Sequence, residues 1–322
     1  MTEGALNPME NFAEDVRHGL SSNPKRLMSR YLYDDSGTRI FREIAEMPDY
    51  YLTPSERKIF QVHAEEMASQ ISGEELEIIE FGVGDGSKTY YLLKALQAVG
   101  KKIRYVPVDV SREALTFLIS NLPKRLKNIE IESYNQEYFS ALEKLEQQDS
   151  RTKRLVLFLG SNIGNFNYQG ALAFLKQLHR ALNPGDQAII GVDLKKAPAV
   201  ILPAYADSKG ICSRFHLNLL KRMNTELGAH FNLKNFKHYS SYQPESGEVH
   251  NFLISQKEQE VLIEKLNRSI HFNHLEAICT ETSKKYSKEE FLLLIKNAGF
   301  YCQESYFDGH LYFMNVLLEK RL

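Results

Sequence analysis

Three glycines at alternate positions, Gly82, Gly84 and Gly86, stand between an apolar run, Leu76-Glu77-Ile78-Ile79, and a helical segment that opens at Lys88-Thr89. Glycine at such positions lets the backbone approach a bound nucleotide, where a side chain would hold it away. The helix start adds free N–H groups and the positive end of a dipole. The spacing is acid-x-Gly-x-Gly-x-Gly, with Glu80 as the acid, and departs from the Gly-x-Gly-x-x-Gly of dinucleotide folds. Asp109 ends a second apolar run, 23 residues beyond Gly86. A carboxylate there accepts hydrogen bonds from both hydroxyls of a ribose. Read alone, the glycines also fit a tight turn that serves packing only. Turn and carboxylate together point to a nucleoside cofactor.

A second polar cluster, Phe158-Leu159-Gly160-Ser161-Asn162-Ile163-Gly164-Asn165-Phe166, follows the fourth apolar run. In an open α/β sheet the carboxyl end of that strand faces the ligand. Asn165 both donates and accepts hydrogen bonds and so suits the amine or carboxylate of an amino acid. By itself it also fits a loop residue that holds its own turn.

A sheet is needed to carry these groups. From Leu76 the sequence alternates strands at 76–82, 103–108, 129–133, 154–159 and 187–192 with helices at 87–99, 112–121, 138–146 and 168–182. Short connections between them predict a parallel, doubly wound sheet, an α/β fold. Residues 193–235 read as helical, and 236–283 as β segments at 237–242, 249–255, 260–263 and 276–282. This block forms a smaller α+β lobe inserted after the fifth strand. A helix at 287–298 and strands at 300–306 and 310–318 then close the sheet as an antiparallel hairpin. Ahead of the sheet, Tyr31 to Gly37 reads as a loop ending in a turn and Phe41 to Met47 as a short helix. Thr53-Pro54-Ser55-Glu56 reads as the start of a long helix, with Thr53 as N-cap and Glu56 completing a capping box. The expected division is 1–58, contributing to the substrate lobe; 59–195, the cofactor domain; 196–285, the inserted lobe; and 286–322, completing the sheet.

The 322 residues carry a formal net charge of −1, which points away from nucleic-acid and membrane surfaces. No apolar run is long enough to span a bilayer. Met1 to Asn11 is polar and acidic, unlike a secretory leader. Three scattered cysteines, Cys212, Cys279 and Cys302, suit a reducing cytoplasm and suggest neither disulfides nor a metal site. His271 and His274 form the closest histidine pair and have no further ligand in register, so no metal is expected.

The glycine pattern resembles the first motif of class I S-adenosylmethionine (SAM) methyltransferases, which also end their sheets in such a hairpin. The Asn/Asp-Pro-Pro-Tyr/Phe motif of nucleobase-amine and protein-amide methyltransferases does not occur here. From about residue 25 to 317 the chain is similar to the histidine-specific Nα-methyltransferases of ergothioneine biosynthesis. The likeness is carried by Tyr33-Asp34-Asp35-Ser36-Gly37, Pro48-Asp49-Tyr50-Tyr51 with Thr53, Gly82 through Lys88-Thr89, and Tyr105 through Ser111. It continues in Phe158 to Asn165, Gly191-Val192-Asp193-Leu194, Asn218-Leu219-Leu220 to Gly228, and Thr280-Glu281-Thr282-Ser283.

This resemblance implies a site residue by residue. Gly82, Gly84, Gly86 and Lys88 would bind the cofactor, with Lys88 at its methionine part, Tyr33 nearby and Asp109 on the ribose. Glu137-Tyr138 stands where the family has an acid–aromatic pair that reads the adenine. Tyr50, Gly160, Asn165 and Tyr205 would hold the substrate's amine and carboxylate, with Tyr50 and Asn165 aiming the reacting amine. Glu281 and Ser283 would hold the imidazole, although without the likeness they also fit an exposed strand edge. Asn251 takes the place of an apolar residue, often methionine, that lines the imidazole pocket. The implied activity is methyl transfer from SAM to the α-nitrogen of L-histidine, by successive SN2 displacements, to trimethylhistidine (hercynine). Nα-methylation of another aromatic amino acid and a SAM-binding paralogue without turnover are the alternatives. A monomer in the cytoplasm acting on a small amino acid completes the expectation.

Overall fold

The computed structural model describes residues 8–148 and 152–322. Most of the polar opening segment, residues 1–7, lies outside the described residues. The chain divides into two compact units. The sheet unit comprises 50–196, 244–247 and 284–322; the insertion unit comprises the rest, through residues 49, 197–243 and 248–283.

The sheet unit is built on one eight-stranded sheet. From one edge its order is Tyr301–Phe307, Phe313–Glu319, Gln187–Asp193, Lys153–Phe158, Glu75–Phe81, Lys102–Asp109 and Glu130–Ile131, with Tyr134–Asn135 also paired to Lys102–Asp109. All pairings are parallel except those of Phe313–Glu319, which runs antiparallel to both neighbours. This is the class I methyltransferase fold, with the final strand inserted beside the fifth. The central strands are buried on both faces because helices cover both, as parallel sheets require. Phe81, Phe158, Phe174, Leu175 and Leu178 are fully buried between the sheet and the helix Tyr168–Ala181. Ser111 caps Arg112–Arg125 by accepting from Ala114 N, and Ser287 with Glu290 forms a full capping box on Lys288–Asn297. The strand expected at 129–133 is reduced to two two-residue pieces flanking Glu132 and Ser133.

Register decides where ligands bind. Phe81 is paired with Val108 on one side and Phe158 on the other. Gly82, Asp109 and Leu159-Gly160 therefore emerge side by side at the carboxyl ends of three adjacent strands. The crossovers diverge there, which opens a crevice.

The insertion unit holds a four-stranded sheet in the order Lys25–Arg26, Ala277–Lys284, Glu248–Ser255 and Phe236–Gln243, and a separate hairpin, Gln259–Ile263 with Arg268–Phe272. Alternation along Glu248–Ser255 buries Val249, Asn251, Leu253 and Ser255 on one face. Helices Pro8–Ser21, Asp35–Ala45 and Ile211–Leu227 belong to the same unit. The segment read as a loop at Tyr31 to Gly37 holds the end of a 3-10 turn, Ser29–Leu32, and the start of Asp35–Ala45. Asp34 is its N-cap: Oδ1 accepts from Gly37 N at 2.7 Å and from Asn218 Nδ2 at 2.7 Å. Two of the blocks that carry the family likeness thus meet through one carboxylate.

The helix read from Thr53 begins at Leu52, and no side chain caps it. Glu56 is not part of a capping box. Its side chain is fully buried and turns to Lys88 and to the backbone of Gly160. No helix among the described residues is long and apolar enough to cross a membrane.

Candidate active site

At the strand ends of the sheet unit, Gly82, Gly84 and Gly86 all take positive φ, at 73°, 55° and 67°. L side chains rarely adopt this conformation. A Cβ at Gly84 would meet no atom within 4 Å, so the turn backbone borders open space there. Asp109 stands against that turn. Its Oδ2 accepts from Val83 N at 3.0 Å and its Oδ1 from Ser111 N at 2.8 Å. Burial pushes its pKa up, against the pull of the Ser111 and Val83 amides. Each carboxylate oxygen can accept a second bond, which suits a ribose diol.

Glu80, the acid that opens the motif, is itself buried. Oε1 accepts from Thr89 Oγ1 at 2.7 Å, and Oε2 accepts from the Tyr105 hydroxyl. Burial raises its pKa from the ordinary 4.5 to about 7. The folded state therefore binds this proton more tightly than the unfolded state. The stability it contributes is complete below about pH 4.5 and is lost as pH rises through about 7, a change of about 3 kcal/mol. We expect the stability difference between wild type and Glu80→Gln to fall by that amount across this range. Denaturant titrations at the two ends check it, and a constant difference would show that Glu80 does not take up a proton there.

Tyr138 packs its ring edge-on against Phe81 and Phe158, with centroids 5.9 and 5.2 Å away. Its hydroxyl lies 2.7 Å from where a Cβ on Gly82 would sit, and Asn162 Nδ2 lies 2.6 Å from the same point. The tyrosine thus borders the turn through its hydroxyl, and its ring belongs to the core. Glu137 directly precedes the helix Tyr138–Glu146. Asn162 was not singled out in the sequence; it opens the 3-10 turn Asn162–Asn165, which Asn165 closes. Lys88 Nζ reaches Glu56 Oε2 at 2.5 Å, and Gly160 N reaches the same oxygen at 2.9 Å. Glycine turn, Asp109, Lys88, Gly160 and Tyr138 are therefore brought together within the sheet unit. Tyr33 belongs to the insertion unit, where it packs edge-on against Phe41 and Phe215, both at 5.4 Å.

Tyr50 begins the sheet unit and is nearly buried. Its neighbour Tyr51 donates to Asp193 Oδ2 at 2.7 Å. The same aspartate pairs with Lys196 at 2.5 Å and with the fully buried Lys285 at 2.9 Å.

Within the insertion unit one buried polar network joins Tyr205, Asn251, Glu281 and Ser283. Asn251 is fully buried and donates through Nδ2 to Glu281 Oε2 at 2.8 Å. Because a carboxylate only accepts, the amide nitrogen must face Glu281. Asn251 Oδ1 accepts from Ser240 Oγ at 2.6 Å and lies 3.1 Å from His238 Nε2. His238 stacks on His216 with ring centroids 4.6 Å apart, and His216 Nδ1 is 2.9 Å from Thr280 Oγ1. Burial lowers the pKa of both imidazoles, most strongly for His216. Ser240 Oγ is also 2.9 Å from the Tyr205 carbonyl, and the Tyr205 hydroxyl lies 3.2 Å from Ser283 Oγ. Asn251, expected to add polarity to a pocket wall, has its amide bonded to Glu281 and Ser240. Ser240, His216 and His238 are not marked in the sequence by any motif.

The strand order, the glycine turn and the carboxylate beside it define a class I SAM-dependent methyltransferase. The family model for histidine-specific, SAM-dependent methyltransferases matches residues 12–320. The chain belongs to that family. It is 31% identical to the histidine N-alpha-methyltransferase of Mycolicibacterium smegmatis, over 90% of this chain and 89% of that one. The enzyme of the same name from Mycobacterium tuberculosis is 31% identical over 84% of this chain and 83% of its own. Ergothioneine biosynthesis protein 1 of Neurospora crassa is 34% identical over 93% of this chain, which spans 34% of that longer protein.

Proposed function

We propose that this enzyme methylates the α-nitrogen of free L-histidine, in successive steps, to the trimethylated product. The observation that carries this reading is the Glu281 carboxylate, held as an acceptor by Asn251 in the same network as the Ser283 hydroxyl. An imidazole offers one N–H donor and one acceptor nitrogen, which matches a carboxylate and a hydroxyl. The names of the M. smegmatis and M. tuberculosis relatives support the same substrate. We assign most of the cofactor contacts to the sheet unit and the imidazole contacts to the insertion unit.

SAM, when bound, supplies a methyl group made electrophilic by its sulfonium sulfur. Asp109 binds the ribose hydroxyls. Gly82, Gly84 and Gly86 let the backbone approach. Lys88 binds the methionine carboxylate, Tyr33 contributes to cofactor binding, and Glu137 with Tyr138 borders the adenine end. Tyr50, Gly160, Asn165 and Tyr205 hold the amino acid's amine and carboxylate. Free α-amino groups titrate near ~8, so hydrogen bonds from Tyr50 and Asn165 select the minority neutral amine and aim its lone pair. Water takes the released proton, and no dedicated base is required. A quaternary nitrogen has no lone pair, which ends the series. The enzyme works as a cytoplasmic monomer on a small molecule, without nucleic-acid or membrane partners.

Incubation with SAM and a panel of amino acids, read by mass spectrometry, tests the substrate. Histidine should gain up to three methyl groups; methylation of a different aromatic amino acid, and not of histidine, would overturn the reading. Glu281→Ala should weaken histidine binding by about 1.5–3 kcal/mol, the scale of a charge-assisted hydrogen bond. Calorimetry in the presence of S-adenosylhomocysteine measures this, and unchanged affinity would remove Glu281 from the site.

A further inference from the structure

Glu56 has a setting that a simple surface ion pair lacks. It lies near the start of the 19-residue helix Leu52–Gln70, and its side chain is fully buried. Oε2 receives both the Lys88 ammonium at 2.5 Å and the Gly160 amide at 2.9 Å, while Oε1 lies 3.1 Å from the same amide. The sheet makes room for it. A Cβ at Gly191, in the strand Gln187–Asp193, would stand 2.1 Å from Glu56 Oε1 and 2.9 Å from Asn315 Oδ1. Glycine is needed there for space, so the carboxylate lies directly against the strand.

Lys88 carries three N–H donors. Among the described residues Glu56 is its one hydrogen-bond partner, and its side chain keeps 18% of its exposure. A buried carboxylate thus holds the ammonium by one N–H and leaves the others for a ligand oxygen. The ammonium also lies 3.4 Å from where a Cβ on Gly160 would sit, so Glu56, Lys88 and Gly160 form one tight group at the strand ends. We infer that Glu56 is a positioning residue of the cofactor site: anchored by the Gly160 amide, it fixes the Lys88 ammonium where it receives the carboxylate of the cofactor's methionine end. This rests on Lys88 as the ligand of that carboxylate. Glu56 acts through Lys88 and need not touch the cofactor.

The test is calorimetric binding of S-adenosylhomocysteine to wild type, K88M, E56Q and E56Q/K88M, which needs no turnover. E56Q keeps an acceptor for the Gly160 amide but removes the charge that holds Lys88. We expect K88M and E56Q each to weaken binding roughly tenfold or more, the scale of one charge-assisted hydrogen bond. The double variant should bind within about twofold of K88M, because the two residues act as one unit. Wild-type affinity in E56Q with weakened K88M would overturn the inference alone. Wild-type affinity in K88M would overturn the Lys88 assignment, and the inference with it. Losses that add in the double variant would show that Glu56 acts through the fold and overturn the inference. If E56Q alone does not fold, the comparison of E56Q/K88M with K88M carries the test: equality supports it and a further loss refutes it.

Discussion

Replacing Asp109 by alanine is expected to weaken SAM binding by a factor of roughly 10²–10⁴. The ribose role proposed for this carboxylate supplies two charge-assisted bonds, together about 3–6 kcal/mol. A second loss adds to the first. The Val83 and Ser111 amides that bond Asp109 would be left in a buried place without their acceptor. Val83 lies between two glycines of the turn, so the turn itself loses its tether. Asp109→Asn separates the effects: the shape stays, an oxygen still accepts, and the charge goes. It should bind more weakly than wild type but better than alanine. Titration with S-adenosylhomocysteine by calorimetry or thermal shift measures both. Wild-type stabilisation of the alanine variant by the ligand would remove Asp109 from the cofactor site.

The second large effect is on folding. Asp193→Ala should destabilise the protein by about 3–5 kcal/mol, the range for breaking a buried ion pair by removing one partner. Asp193 and Lys285 are both fully buried, and Lys196 is nearly so. Alanine would leave two ammonium groups in low dielectric with their shared counter-charge gone. It would also strip the Tyr51 hydroxyl of its acceptor. Lys196→Met should cost much less, because the Asp193–Lys285 pair survives and a like charge is removed from beside it. Tyr51, Lys196 and Lys285 each lie within two residues of a point where the chain passes from one unit to the other. The loss should therefore appear in denaturant titrations as lower stability of the sheet unit. Equal stability of D193A and K196M would show that the cluster is hydrated and that its burial carries little energy.

The part of the site legible in the sequence is the part built from consecutive residues. A glycine turn between a strand and a helix, and an acid at the end of the next strand, are local patterns with one geometric solution. The alternation of strands and helices leads to the parallel sheet, and the runs at 300–306 and 310–318 to the closing hairpin. Sequence reasoning failed where a side chain's partner is distant. Thr53 to Glu56 has the letters of a capping box, yet the Glu56 partners are 32 and 104 positions away. The helix read at Phe41 to Met47 runs instead over Asp35–Ala45, and its start was read as part of a loop although Asp34 caps it. Asn251 was placed at the pocket by the family likeness, and its partners Glu281 and Ser240, 30 and 11 positions away, could not be read from the sequence.

The sequence alone therefore determined the parallel sheet and the glycine turn of a nucleoside-binding site, since these follow from short-range spacing and from the period of apolar residues, while the family was legible only through the likeness of its ordered blocks. Only the tertiary structure decided that Glu56 serves Lys88, that Asp193 gathers Tyr51, Lys196 and Lys285, and that Asn251 holds Glu281. The reason is physical. A buried charge or amide must find a partner, and the close-packed interior, rather than the local chain, determines which group is near enough to serve.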